Sequence, residues 1–581
     1  MPAAFLSAFQ SRTDLAKYGA NALLLFALEL KYQLPDIDSV AVNALTDGPD
    51  DKKCDLIYVD RDRGLAIVAQ GYMASDATKA EAKANKATDL NGAASWLLTT
   101  AMDELPPRLQ SAAGELRAAL ENKEIDSLQF WYVHNLPESS NVRTELKIVA
   151  NTVKAACDTY YPMAGVTEIT AVEVGTNTLD EWYRSLTIPI LVTDDFAIPI
   201  EGGFEITEAD WQAFVTAVPA AWLYEVFTKY GSQLFSANVR GYLGSRKAVA
   251  NIKNGIKDTA SDNPAHFWVY NNGITALVHA FQADIPGKQL KLTGLSIVNG
   301  AQTTGALGSL KYKPEATATV QARFVVCNTR DTVMNIIKYN NSQNRIEAPD
   351  FRSNDVVQKR LVAQFQALPE TLYLGGRRGG DEDAIRRPAN LLPSDTVAQA
   401  LTAFHREPIV AYHEKSRIWI SDALYSQVFN ERTTAQHIVL AYTLLRALEE
   451  QKRVLQAKAA QSALTEDEGI QLEFFRHRGS TILATSAVAA CVETFADRAI
   501  PDAFQVSFRD KVPPRIAQQW WAKVIETTLP FMAYLTPAVQ RGLQNSDTVK
   551  QVIDQFRSFI AATKRSNKGV YDEFTAPLHF E

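Results

Sequence analysis

The chain lacks the signatures of the commonest enzyme classes. Its four cysteines, Cys54, Cys157, Cys327 and Cys491, are scattered over 581 residues, with no CxxC pair and no Cys/His cluster. That argues against a disulfide framework or a structural zinc site, and it fits a cytoplasmic protein with reduced thiols. No GxxxxGK[ST] loop occurs, which removes a P-loop NTPase site. No GxSxG or HExxH occurs, which removes a nucleophile elbow and a zincin helix. No run of about 18 apolar residues is present, so no membrane span is expected. The start, MPAAFLSAFQSRTDLAKYG, lacks the basic stretch and uninterrupted apolar core of a signal peptide. Repeats and low-complexity segments are missing too. Nor is there an excess of positive charge: the net charge of −7 argues against a general polyanion binder but permits a local basic groove.

What is present is ordinary globular composition, 46% hydrophobic and 22% charged, enough for every domain to build its own core. The length suits about three to five domains. Residues Asp14–Tyr32 read as an amphipathic helix with Ala22, Leu25, Phe26 and Leu30 as its apolar stripe, ended by Pro35. CDLIYVD and LAIVAQGY, joined by a turn at Arg61–Gly64, read as a hairpin. Helices are expected over Lys79–Met102, Pro106–Lys123 and Thr144–Cys157, with SLQFWYVHNL and EITAVEV as strands. This gives a first α/β unit ending near residue 180. A second, mixed α/β unit is expected to about residue 395. It holds a helix over Trp211–Tyr230, a strand–turn–strand at FWVYNNGITALVHAF, a strand–glycine–helix at LKLTGLSIVNGAQTTGAL, a strand at TATVQARFVVCN and a helix over Thr332–Gln343. Long helical patterns then dominate, such as TTAQHIVLAYTLLRALEEQKRVLQ.

The chemistry concentrates in the second unit. NVRGYLGSRKAVANIKNG contributes Asn238, Arg240, Gly241, Gly244, Asn251 and Asn254; WVYNNGIT contributes Asn271, Asn272 and Gly273. SIVNGAQTTGAL brings Asn299, Gly300, Gln302, Thr303 and Thr304, and KYNNSQNRIEAPDF adds Asn340, Asn341, Gln343, Asn344 and Arg345. A strand running through Asn-Gly into a helix exposes backbone N–H groups at a helix start, which suits an anion. Asn and Gln amides offer donors and an acceptor for base edges or sugar hydroxyls, and Gly lets a backbone approach a ligand closely. Alone, NNG reads as a hairpin turn and VNGAQTT as a helix cap. Together, the four segments hold more amides than turns require.

The order N-V-R-x-x-L-G, N-N-G-I-T, I-V-N-G-x-Q-T and N-x-Q-N resembles the AIPR family, the abortive infection phage resistance proteins. The match is strongest over roughly residues 230–400. The resemblance implies bacterial antiphage defence. It also draws notice to LYLGGRRGG, where Arg377 and Arg378 fall at the family's basic stretch and could face a phosphate; a solvated basic loop is the equal alternative.

Many such proteins begin with a domain similar to PD-(D/E)XK restriction nucleases, in which an Asp and an acidic or Gln residue, followed by x-Lys, hold a divalent metal. By that likeness, Asp55 and Gln70, with Glu29 on the preceding helix, are the catalytic candidates, Asp55 being the metal ligand for Mg²⁺ or Mn²⁺. The pattern then departs, for Tyr72 stands in the Lys position and supplies no ammonium charge near neutral pH; Lys79, Lys83 and Lys86 are the alternatives. Two readings stay open: an active nuclease and a degenerate form that binds without cutting. His134 reads as a core histidine; His413, His437 and His477 show no ligand spacing, and Trp520–Trp521 reads as packing.

The expectation is an α/β multidomain protein: a restriction-endonuclease-like α/β domain over 1–180, a central mixed α/β AIPR core over 181–395 and an all-helical domain over 396–581. The core would bind nucleic acid or a nucleotide through its Asn and Gln residues, with Arg240 and Arg345 on phosphate. A non-enzymatic sensor or a subunit of a defence complex is the alternative, with a homo-oligomer or a partner defence protein in either case.

Overall fold

The computed structural model describes residues 4–46, 48, 51–76, 78–187, 190–238, 247–341, 352, 355–375, 388–540 and 542–580. It is a mixed α/β architecture with three regions. The first holds a four-stranded sheet of β1 (Leu56–Asp60), β2 (Leu65–Tyr72), β3 (Ser127–His134) and β4 (Glu168–Val174), in that spatial order. β1 and β2 form the expected hairpin, and β2, β3 and β4 run parallel. Alternation along β2 sorts its side chains between two cores. Ala66 and Val68 face the helices Ala84–Leu98, Pro107–Glu121 and Ser140–Tyr160, whereas Leu65, Ile67 and Ala69 face Ala22–Tyr32 and Thr176–Thr187.

The helix expected over Asp14–Tyr32 is two elements, a 3-10 segment Thr13–Asn21 and the helix Ala22–Tyr32. The first is kinked at Gly19, whose φ of +54° and ψ of −122° no helix accommodates. The second piece is not amphipathic: it is buried at every position but Lys31, because it lies between the sheet and its neighbouring helices. Thr176–Thr187 spans the expected boundary near 180 and packs through Leu179 and Trp182 into the N-terminal core.

The central sheet joins β5 (Val192–Pro199), β6 (Gly203–Thr207), β7 (Trp211–Pro219), β8 (Ile274–Leu277), β9 (Ala280–Asp284), β10 (Gln289–Asn299) and β11 (Thr319–Cys327). Its order is β5-β10-β8-β11-β7-β6, with β9 also on β10, and only β8 and β11 pair in parallel. Helices Ala220–Tyr230, Lys247–Asp262 and Ala301–Gly308 cover one face. Helix Arg330–Asn341 covers the other through Val333, Ile336 and Ile337. The helix expected from Trp211 begins only at Ala220. Trp211–Pro219 is strand, held along its whole length by antiparallel pairing with β11.

Beyond residue 355 helices dominate, and one core runs from Leu361 to Leu578, so the helix Val356–Phe365 belongs with this region rather than with the centre. The region is not wholly helical: β12 (Val506–Phe508) and β13 (Leu578–Phe580) form a short antiparallel ribbon. Trp521 is buried and donates to Leu440 O (3.0 Å), the packing role expected of it. Among the described residues no single helix is long and apolar enough to cross a membrane.

Candidate functional site

Two of the Asn-rich segments, NNGIT and VNGAQTT, meet at one end of the central sheet. Phe267–Tyr270 is a single helical turn rather than a strand, so NNG is no hairpin turn; it is the exit from that turn into β8. Asn271 Oδ1 accepts from Gly273 N (2.9 Å) and from Thr303 Oγ1 (3.2 Å), so one amide oxygen ties this loop to the start of helix Ala301–Gly308. The glycines interlock the two motifs. Gly273 has φ +76°, and a Cβ there would lie 2.3 Å from Gln321 O. Gly300 has φ +92°, and its Cβ would lie 2.6 Å from Gly273 O. Only glycine fits either position, through both handedness and space.

Gly300 is the N-cap of helix Ala301–Gly308 and carries no side chain to satisfy it. Thr304 Oγ1 bonds back to Gly300 O (3.1 Å), and Thr303 serves Asn271, so neither threonine caps the helix. Asn272 is exposed, and Asn299 and Gln302 are half-buried.

β11 supplies the cation. Val320, Ala322 and Phe324 point into the core, which puts Arg323 on the opposite face, where it is exposed. Its Nη2 donates to Thr275 Oγ1 on β8 (3.0 Å) and to Asn340 Oδ1 at the end of helix Arg330–Asn341 (3.4 Å). Asn340 Nδ2 in turn donates to Ile336 O (2.9 Å), which orients its oxygen toward the arginine. No carboxylate pairs with Arg323 among the described residues. Sequence reasoning missed Arg323; its outward place in the alternation of TVQARFVVC was the available signal. Arg240, Asn344, Arg345, Arg377 and Arg378, and the side chain of Asn341, lie outside the described residues.

Of the nuclease-like candidates, Gln70 lies on the face of β2 opposite the one that Asp55 reaches. Glu29 is buried and bound to Arg12 (2.6 Å). Burial opposes the charge on Arg12, but Asp14 and Glu29 outweigh it and hold the guanidinium protonated. Asp55 precedes β1, and its N–H bonds Ala69 O although Ala69 already pairs with Leu56, so the alternation slips there as in a bulge. Its carboxylate accepts Gly71 N–H (2.7 Å) on the side of Leu24 and Asn21. Asn21 and Leu24 thus lie on the same side of β2 as the Asp55 carboxylate. Gln70 shares the opposite face of β2 with Ala66, Val68 and Tyr72. It is buried there, and its Oε1 has no hydrogen-bond partner.

Gln70 offers a neutral amide where Mg²⁺ or Mn²⁺ would favour a hard anionic oxygen. Among the described residues no three His, Cys, Asp or Glu side chains form a metal-binding group. His134 is fully buried, with Nε2 3.1 Å from Glu173 Oε1 and Nδ1 accepting from Leu136 N, as befits a core histidine.

No curated protein and no solved structure matches the chain. A family model described as AIPR protein does, over residues 235–529. The matched span leaves out the N-terminal sheet, contains the whole Asn271–Arg323–Asn340 cluster and continues into the helical region. It covers half of the 581 residues, and the chain therefore belongs to the AIPR family.

Proposed function

We propose that the protein is a phage-defence sensor that binds nucleic acid or a nucleotide at the Asn271–Arg323–Asn340 cluster without cutting it. Membership of the AIPR family supports an antiphage, abortive-infection role. The observation that carries the binding reading is Arg323, an exposed guanidinium oriented by two neutral side chains and opposed by no carboxylate among the described residues. An arginine so held meets a phosphate at small cost, because its geometry is already set. Asn271, Asn272, Asn299 and Gln302 supply the amides around it, and amides of this kind read base edges or sugar hydroxyls. Phosphate contacts then position the ligand, and amide contacts select it.

The non-cutting half of the proposal rests on Gln70 lying on the face of β2 opposite the one that Asp55 reaches and on Tyr72 standing in the Lys position. It is tested by incubating single- and double-stranded DNA and RNA with the protein and Mg²⁺ or Mn²⁺, alongside direct binding measurements. Binding without cleavage, weakened roughly tenfold or more in Arg323→Ala, is the expected result. Cleavage that disappears in Asp55→Ala would establish the nuclease instead.

A further inference from the structure

We propose that the ligand of this site is single-stranded nucleic acid, with bases stacked on Trp268 and Tyr270 while Arg323 meets the phosphate backbone. This rests on the binding reading above and names its substrate class. The turn Phe267–Tyr270 buries one of its four residues, Phe267, and leaves Trp268 44%, Val269 64% and Tyr270 69% exposed. Two large aromatic rings in water, side by side in sequence with a polar cluster, are an uneconomical way to build a surface unless something covers them.

One of the two rings, Tyr270, is also held in place. His266 stacks on Tyr270 with centroids 5.6 Å apart and planes 17° from parallel, which fixes one face of the ring and leaves the exposed side for a second partner. Tyr270 leads directly into Asn271, whose amide is fixed by Gly273 and Thr303. Gly273 sits against Gln321, two residues before Arg323. The residues Asn271–Gly273 therefore join the aromatic turn to β8, which pairs with the strand that carries Arg323.

The arrangement selects among nucleic acids. In a duplex the bases stack on one another and offer only their edges, so free base faces belong to single strands. Residues i and i+2 of a helical turn do not face each other. Trp268 and Tyr270 consequently lie on opposite flanks of the turn, with Val269 on its crest. They cannot clamp one base between them, so a mononucleotide would use only one ring, whereas a strand crossing the turn uses both. Stacking tolerates any base, so binding should be largely indifferent to sequence.

The test is fluorescence anisotropy with a labelled oligothymidylate of about twelve nucleotides, the matching duplex and ATP as probes. The expected result is single-strand binding roughly tenfold or more tighter than duplex binding. Trp268→Ala and Tyr270→Ala should each weaken it roughly tenfold, while Tyr270→Phe retains it. Both rings are exposed, so the variants should fold, and circular dichroism checks this. Single-strand binding lost in Arg323→Ala but unchanged in both ring variants would overturn the stacking proposal and leave the binding reading intact. Equal affinity for duplex and single strand would overturn it as well. Failure of the wild type to bind any of the three probes would sink the binding reading itself.

Discussion

Two polar clusters in this molecule use the same residue types to opposite ends. One lies between the N-terminal sheet and the C-terminal helices, beside a cleft of about 380 Å³. There Arg446 bonds Glu449 (2.6 Å), Ser39 Oγ (3.0 Å) and Asp36 (3.4 Å), while Asp36 also accepts from Thr396 (2.7 Å). Glu115 receives Arg61 and the Tyr412 hydroxyl (2.8 Å each), and Arg478 donates to Ile57 O (2.9 Å). Charges buried together must answer one another, and these do. The other cluster is centred on Arg323, which is exposed, oriented by neutral partners and unanswered by a carboxylate among the described residues. The first arrangement fastens two regions of one chain; the second leaves a charge available to something outside it.

The sharpest way to break the comparison is to remove the central cation from each cluster. Arg446→Ala leaves the buried carboxylates Asp36 and Glu449 without their guanidinium. It should cost about 3–5 kcal/mol of unfolding free energy, read from urea denaturation. Single-strand binding, measured where the variant is still folded, should be unchanged.

Gly300→Ala attacks the second cluster through its backbone. A residue at φ +92° with a Cβ 2.6 Å from Gly273 O suffers both handedness strain and a clash. The expected cost is about 2–4 kcal/mol, accompanied by loss of binding because the two motifs can no longer interlock. Gly92 is the control: a Cβ there meets nothing within 4 Å, and it lies in the helix Ala84–Leu98, so Gly92→Ala should leave stability equal or slightly higher.

What the sequence revealed of these clusters follows from how local each one is. The β1–β2 hairpin and the strand–Gly300–helix unit were legible because alternation and turn residues encode them within a dozen positions. The helix read from Trp211 started too early, because a strand runs straight into the helix Ala220–Tyr230 and only pairing with β11 divides them. Asn271 and Thr303 could be recognised as site residues by type. For Arg323 the alternation of its strand showed only that it points outward; its place beside Thr275 depends on parallel pairing between β8 and β11, which no local pattern predicts. Nor could the interface be recognised, its partners Asp36 and Arg446 being hundreds of residues apart. Glu29 was legible as a helical acid but not as the partner of Arg12.

The interface also carries a pH signature that the Arg323 cluster should lack. Lys452 is 3% exposed, and burial, reinforced by Arg478 and opposed by Glu449, lowers its pKa to about 7. Below that value both folded and unfolded chains hold the proton; between about 7 and 10.5 only the unfolded chain does. The unfolded state thus binds more protons across this window, so stability rises with pH there. From pH 7 to pH 9 the gain should be about 2 kcal/mol. Comparing wild type with Lys452→Met isolates it: the variant should lose this increment and be the more stable of the two at pH 7.

The smallest expected effect is the most discriminating. Arg323→Ala removes two hydrogen bonds made at an exposed surface and leaves behind Thr275 and Asn340. Both partners are neutral, and Asn340 keeps its bond to Ile336 O. Unfolding free energy should therefore change by less than about 0.5 kcal/mol, against several for Arg446→Ala. Affinity for a single strand should fall roughly tenfold or more, and the salt dependence of what remains should flatten by about one unit of slope, one phosphate contact having gone. A large loss of stability instead would mean that Arg323 helps hold the sheet together as Arg446 holds the interface, and the division between a cluster that fastens and a cluster that binds would fall with it.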